Sequence, residues 1–278
     1  MWWTRYVMFE SIMNRCQFHV IAAAVALTLV ASFALTAQEQ DKRPGAEAVL
    51  AAADRVRNPG QPFRAQLILT EYVQGKERDR TSLIVYARQD VRTLQFNNLV
   101  RYAQPPRDAG KMVLFRGTDL WFYDPASKAS VRISPQQRLL GQVSEGDVLA
   151  VNFARDYTAQ ITGEESLRDA DGENHGCWRL DMTAASPDAI YSHIEYWVDR
   201  RTNRPIKGKF YSDSGRLLKI AYYHKYAEQL GAVRPMETIL LDGVNSNLAT
   251  VISYSAFHFQ EVPEAWFQRD YLPRLAPE

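Results

Sequence analysis

Residues 111–141, KMVLFRGTDLWFYDPASKASVRISPQQRLLG, leave little freedom in secondary structure. MVLFR and LWFYDP are strand-length apolar runs separated by Gly117-Thr118-Asp119, and a second turn over Ala126 to Lys128 leads into SVRIS. Turns this tight join antiparallel neighbours, so the stretch reads as a three-strand meander that continues into a larger sheet. It is too aromatic for a solvated hairpin, and it carries no nucleophile motif, phosphate loop or metal box.

The rest of the chain repeats this grammar. One amphipathic helix is predicted over residues 45–57, GAEAVLAAADRVR, with Val49, Leu50, Ala53 and Val56 on one face and Asn58-Pro59-Gly60 as its stop. Strands are predicted over residues 63–73, 80–88 and 91–102, the last broken near Asn97-Asn98, and then over 176–182, 191–199, 206–212, 216–227, 236–241 and 248–259. The tail around Trp266, Phe267 and Tyr271 reads as one short helix. Short sequential connections without a βαβ rhythm favour antiparallel pairing. The expected fold is therefore α+β and mostly antiparallel β: a curved, unclosed barrel of ten or eleven strands with helices covering the concave face.

Residues 20–37, VIAAAVALTLVASFALTA, follow Arg15 and precede the polar QEQDKRPG. This is the pattern of a secretory signal peptide, expected over residues 1–37, with Met13 as an alternative start. An uncleaved membrane anchor is the competing reading, since about 18 apolar residues is the lower limit for a span. Both readings place residues 45–278, expected to be a single domain, outside the cytoplasm. Beyond residue 37 the chain keeps 31 basic and 31 acidic residues, so nothing in its charge points to nucleic acid. Of the two cysteines, Cys16 lies in the signal segment and Cys177 is left alone, which excludes an intrachain disulfide after cleavage. No cysteine follows the apolar run directly, as a lipid-modified N-terminus would require.

Chemistry is hard to place on these residues. The histidines are scattered, no GxSxG or HExxH occurs, and Glu195 and Asp199 have Arg200, Arg201 and Lys207 as ready ion-pair partners. The acidic loop ADGENHG has only part of a calcium-loop spacing, so no metal and no cofactor is expected. Binding fits better: Phe115, Trp121, Tyr123, Trp197, Phe210 and Tyr222 are candidates to line an apolar cavity, although each one also reads as ordinary core. Lys207, Lys209 and Lys219 could steer an anionic head group or simply protect a sheet edge. Residues 134–165 are the least strand-like part of the chain, long for a loop yet carrying Leu139, Leu140, Leu149 and Phe153. They are expected to form a helical or looped lid over the sheet, with a static crossover as the alternative.

The phrases RGTDLWFYDP, RISPQQRLLG and YWVDRRTNRPIK resemble the bacterial outer-membrane lipoprotein-sorting proteins in the broad LolA-like sense, and within them an uncharacterised periplasmic branch. The resemblance covers residues 45–278 and marks a fold, not a reaction. It implies a non-enzymatic periplasmic carrier for a lipid, an acylated protein or another apolar ligand. The partners it implies are lipid or lipoprotein acyl chains and an inner-membrane export complex. The alternative is a periplasmic interaction subunit of such a complex that carries nothing.

Overall fold

A computed structural model describes residues 43–185 and 189–275. The expected signal segment, both alternative starts, Cys16 and residues 186–188 lie outside the described residues. Residues 45–278 form one compact unit by their internal contacts. Among the described residues no helix is long and apolar enough to cross a membrane.

The helix α1, Ala46–Arg57, is followed by β1 (Phe63–Val73), β2 (Lys76–Gln89), β3 (Phe96–Gln104), β4 (Met112–Arg116), β5 (Asp119–Asp124) and β6 (Ala129–Arg132). Each strand pairs with its predecessor, so this first half is a continuous antiparallel meander. The second half is another: β9 (Tyr157–Arg168), β10 (Asn174–Ala184), β11 (His193–Asp199), β12 (Pro205–Tyr211), β13 (Leu217–Gln229), β14 (Ala232–Asp242) and β15 (Leu248–Phe259). The halves meet where β1 pairs with β15, from Phe63 opposite Phe259 to Val73 opposite Leu248. Between the halves runs a crossover with a two-stranded ribbon, β7 (Arg138–Leu140) and β8 (Val143–Ser144), a 3₁₀ turn at Glu145–Val148 and one helical turn at Phe153–Asp156.

The strand order, β6-β5-β4-β3-β2-β1-β15-β14-β13-β12-β11-β10-β9, is linear, with β6 and β9 as its two ends. The expected curved barrel of ten or eleven strands is thereby corrected: the described residues form an open sheet of thirteen strands with a separate two-stranded ribbon. The expectation assumed that a large apolar face is covered by rolling the sheet up. Here other segments cover it. The buried side of α1 (Val49, Leu50, Ala53) and the crossover (Val143, Val148, Leu149, Val151, Phe153) share one core with Leu67, Leu69, Leu83, Val85 and Ile252.

The opposite face has a second core over the first meander, where Ile84, Tyr86, Leu99, Leu114 and Tyr123 meet Val262, Phe267 and Leu272 of the C-terminal segment. That segment forms two 3₁₀ turns, Glu264–Phe267 and Arg269–Arg274, instead of the one helix expected, with Pro273 inside the second. Because both faces of β2 are covered, residues 81–87 are buried without a break, and the hydrophobic alternation of a half-exposed strand is lost there.

Three local expectations also change. Residues 91–95 form a turn with Leu94 at φ +58°, and β3 runs unbroken through Asn97-Asn98. Of residues 134–165, expected to form a helical or looped lid, residues 138–140 are strand β7 and residues 157–165 belong to the edge strand β9. In β9 less exposed residues alternate with exposed ones from Tyr157, Ala159 and Ile161 on to Gly163, Glu165 and Leu167, and the glycine and glutamate at the less exposed positions mask the period.

Phe267 is completely buried and faces the second core, so Phe267→Ala should cost about 3–5 kcal/mol of unfolding free energy in chemical denaturation.

Candidate functional site

A partly open cavity in the main core lies between the sheet and the crossover. Its floor is the inward face of four strands: Phe63, Ala65 and Leu67 of β1, Ala221 and Tyr223 of β13, Leu240 of β14 and Ile252 of β15. The i, i+2 spacing on β1 and β13 puts these side chains on one face, and the alanines leave the room that larger residues would fill. Residues 146–151 and Phe153 form the roof, Phe210, Ile190 and Tyr191 one wall, and Arg57 with Asn58 the end where α1 stops. The cavity holds about 110 Å³, below the roughly 150 Å³ of an apolar cavity that accepts benzene.

The roof lacks neighbouring strands over most of its length, so side chains from the sheet and α1 satisfy its backbone. Asn98, wholly buried, donates from Nδ2 to the Ala150 carbonyl at 2.9 Å and accepts from the Ala150 amide at 2.9 Å. Gln95 accepts from the Asn152 amide at 3.0 Å, Asn58 donates to the Val151 carbonyl at 2.8 Å, and Asp54 accepts from the Ala154 amide at 2.8 Å. At the other end, buried Lys219 donates to the Gln142 carbonyl at 2.9 Å, Ser144 Oγ at 2.7 Å and Asp147 Oδ2 at 2.5 Å. Tyr191 donates to the second oxygen of Asp147 at 2.5 Å. Gly141 sits between these anchors at φ +52°, where a Cβ would lie 2.3 Å from Thr250 Oγ1, so only glycine passes.

Two buried charges stand out. Glu145, 3% exposed, accepts from the Tyr102 hydroxyl at 2.9 Å through one oxygen, while its other oxygen has no partner. Burial pushes its carboxyl up to about 7, against the smaller opposing effect of the Tyr102 hydrogen bond. Arg57 pairs with Asp54, donates to the Val151 carbonyl at 3.2 Å and lies 3.9 Å from the centre of the Phe153 ring. Burial opposes its charge, but Tyr196, Asp54 and Tyr223 outweigh that and hold the guanidinium above its ordinary range. Burial conversely lifts the Asp54 carboxyl despite Arg57 beside it.

The ten candidate residues from the sequence fall in several places. Phe210, Leu149 and Phe153 line the cavity. Phe115 and Leu140 are buried in the same core, with Leu139 packed against it, but these three do not line the space. Tyr123, with Trp121 packed against it, belongs to the second core on the opposite face. Trp197 is buried with Cys177 and Ile206 in a third cluster, and Lys207 bridges its ring to that of Tyr222, at 5.2 and 5.4 Å. Lys207 and Lys209 therefore lie over an aromatic patch away from the cavity, whereas Lys219 anchors its roof.

Sequence reasoning passed over Asn98, Gln95, Asp147 and Arg57. A pair of asparagines inside an apolar strand, read as a break, was the available signal for Asn98; Arg57, at the end of an ordinary helix, had none.

The acidic loop is a hydrogen-bonded hairpin turn. Asp169 accepts from the amides of Asp171 and Glu173 at 3.0 and 2.8 Å, and His175 bridges Asp169 at 2.8 Å and Asp199 at 3.1 Å. Burial opposes the imidazolium, but these two carboxylates outweigh it and raise the His175 pKa. Although Asp169, Glu173 and His175 offer ligand atoms within 4.8 Å of one another, the turn and the histidine already use those of Asp169 and His175. His193 is hydrogen-bonded to Asp181 at 3.0 Å, whereas the His224 Nε2 lies 3.3 Å from Glu237 without a hydrogen bond, its Nδ1 being 3.5 Å from Asp171.

A family model described as "uncharacterized protein" matches residues 95–274. A LolA superfamily protein from Nitrosomonas europaea is 30% identical, with a TM-score of 0.73 over 82% of this chain and 100% of its own. A DUF1329 family protein from Desulfovibrio piger is 20% identical, with a TM-score of 0.68 over 81% of this chain and 97% of its own. A domain from Vibrio parahaemolyticus, named for outer membrane lipoprotein sorting, is 19% identical, with a TM-score of 0.66 over 82% of this chain and 98% of its own. The last two likenesses are of fold alone. Comparison with curated proteins finds no match.

Glu145 tests the electrostatics of the roof. A carboxyl whose pKa is raised in the fold binds its proton more tightly there than when unfolded, so its burial is tolerated below about pH 4.5 and weakens the fold as pH climbs through about 7. Glu145→Gln, which keeps an acceptor for Tyr102, should therefore raise the melting temperature at pH 8 and leave it nearly unchanged at pH 4.5. A scan of thermal unfolding against pH measures the difference.

Proposed function

The chain belongs to the LolA superfamily, and from that premise we propose that it is a non-enzymatic periplasmic protein that binds the apolar part of a lipid or of a lipid-modified protein. The relative named for outer membrane lipoprotein sorting supports the general role, lipid or lipoprotein handling in the envelope. The ligand and the act of carriage are read from this chain's own core. The observation that carries the reading is the largely apolar space between the sheet and the crossover, with Ala65 and Ala221 in its floor and Val148, Leu149, Ala150, Val151 and Phe153 in a roof of short helical turns and irregular backbone.

At about 110 Å³ the space is too small for an acyl chain, which would need several times the volume of a benzene-sized cavity. Carriage therefore requires the roof to lift, and the crossover acts as a lid with Leu149 and Phe153 as its inward hydrophobes. The polar anchors at Asn98, Gln95 and Lys219 hold it by its backbone and by Asp147, so its closed position is defined while its removal leaves the sheet pairing intact. The same anchors and the small volume favour the second reading, a periplasmic interaction subunit whose core is filled and which carries nothing.

Mass spectrometry of extracts from natively purified protein separates the two. Stoichiometric lipid or acylated peptide is the expected result, reduced in Ala221→Leu, which fills the floor; protein that stays empty under several conditions would sink carriage. Hydrogen exchange should be faster across residues 139–153 than in β1 and β15 and should slow when ligand is bound, and uniform protection would count against a lid.

A further inference from the structure

The cavity is apolar along its floor and roof but not at the end where α1 stops. Among the described residues that line it, Arg57 is the only cation. Its side chain is 13% exposed, and its Nε has no hydrogen-bond partner although Nη2 is engaged by Asp54 and by the Val151 carbonyl. The Tyr196 hydroxyl, on a residue with no exposed surface that lies outside the cavity lining, makes no hydrogen bond of good geometry, and its ring packs edge-on against that of Tyr223 in the floor at 6.0 Å. The two belong to one neighbourhood: the Phe153 ring lies 3.9 Å from the Arg57 guanidinium carbon and 5.9 Å from the Tyr196 ring.

Two buried donors left open are costly to a fold that gains nothing from them. We propose that Arg57, with the Tyr196 hydroxyl, is the subsite for a single carboxylate at the end of an apolar chain lying in the cavity. The inference rests on the apolar-ligand reading above and gives that ligand its head group. A guanidinium presents its N–H groups in a plane that matches two carboxylate oxygens. The lining offers at most the single positive charge of Arg57, shared with Asp54, and the only other charged residue among the described lining, Asp147, is bound to Lys219, so a carboxylate leaves less uncompensated charge here than a phosphate. A dianionic phosphate would be undercompensated there. The head group replaces the Val151 carbonyl and displaces the Phe153 ring, so lid and subsite move together.

Titration calorimetry of the purified protein near pH 8 with dodecanoate, dodecanol and dodecyl phosphate tests this. Dodecanoate should bind at least about tenfold more tightly than dodecanol, the worth of one charge-assisted hydrogen bond, and dodecyl phosphate more weakly than dodecanoate. Tyr196→Phe should narrow the gap. Arg57→Met strands Asp54, so the paired variant Asp54→Asn/Arg57→Met is measured with it, after a thermal melt confirms the fold; it should bind acid and alcohol alike, with dodecanol affinity retained. Equal binding of acid and alcohol by the unaltered protein, a gap that survives in the paired variant, or tighter binding of the phosphate would each overturn the carboxylate subsite and leave the apolar-ligand reading standing. Binding of none of the three removes that reading, and the subsite with it.

Discussion

The pairing of β1 with β15 is the contact on which the rest of the molecule depends. Every other ladder in the large sheet joins strands that follow one another in the chain, and such hairpins need only short turns. The β1–β15 ladder joins residues about as far apart as the domain allows, with Leu67 opposite Tyr254 and Leu69 opposite Ile252. It turns two separate meanders into one sheet, and it brings Ala65 and Leu67 of β1 into one cavity lining with Ile252 and Tyr254 of β15. Contacts of such long sequence separation carry the largest loop-closure cost and slow folding.

The crossover depends on that sheet in turn. Its backbone would be costly to bury without partners, and Asn98, Gln95, Asn58, Asp54 and Lys219 supply them from β3, α1 and β13 and from the turns flanking β3 and α1. The buried Lys219–Asp147 pair adds position more than stability, because removing two charges from water costs much of what their attraction returns. Polar contacts to the backbone thus fix where the roof lies, while Val148, Leu149, Val151 and Phe153 supply the hydrophobic reason for it to lie there.

The alternation of side chains and the turn chemistry made β1, the meander of β4 to β6, and β15 legible before any coordinates, as they did the helix ending at Arg57. The resemblance carried by RGTDLWFYDP and YWVDRRTNRPIK likewise led to the right superfamily. Legibility failed where a local pattern was diluted. β9 alternates correctly, but as an edge strand it buries small or polar residues and so read as loop. Val91 invited an early start for β3, yet it is 88% exposed beside a left-handed Leu94. The barrel was inferred from the need to cover an apolar face, a need that α1, the crossover and the C-terminal turns meet in an open sheet.

Period-two hydrophobicity, short turns and the lack of crossover helices determined by themselves that this chain makes an antiparallel sheet with one helix against it. They divide each strand into two faces without saying what covers either. Only the tertiary structure decided that Trp121 and Tyr123 face the C-terminal turns while Phe210 faces the cavity, that Asn98 holds a roof instead of breaking a strand, and that Arg57 ends inside the core. The reason is physical: strand period is a local property of the backbone, whereas the partner across a buried face comes from segments tens to hundreds of residues away.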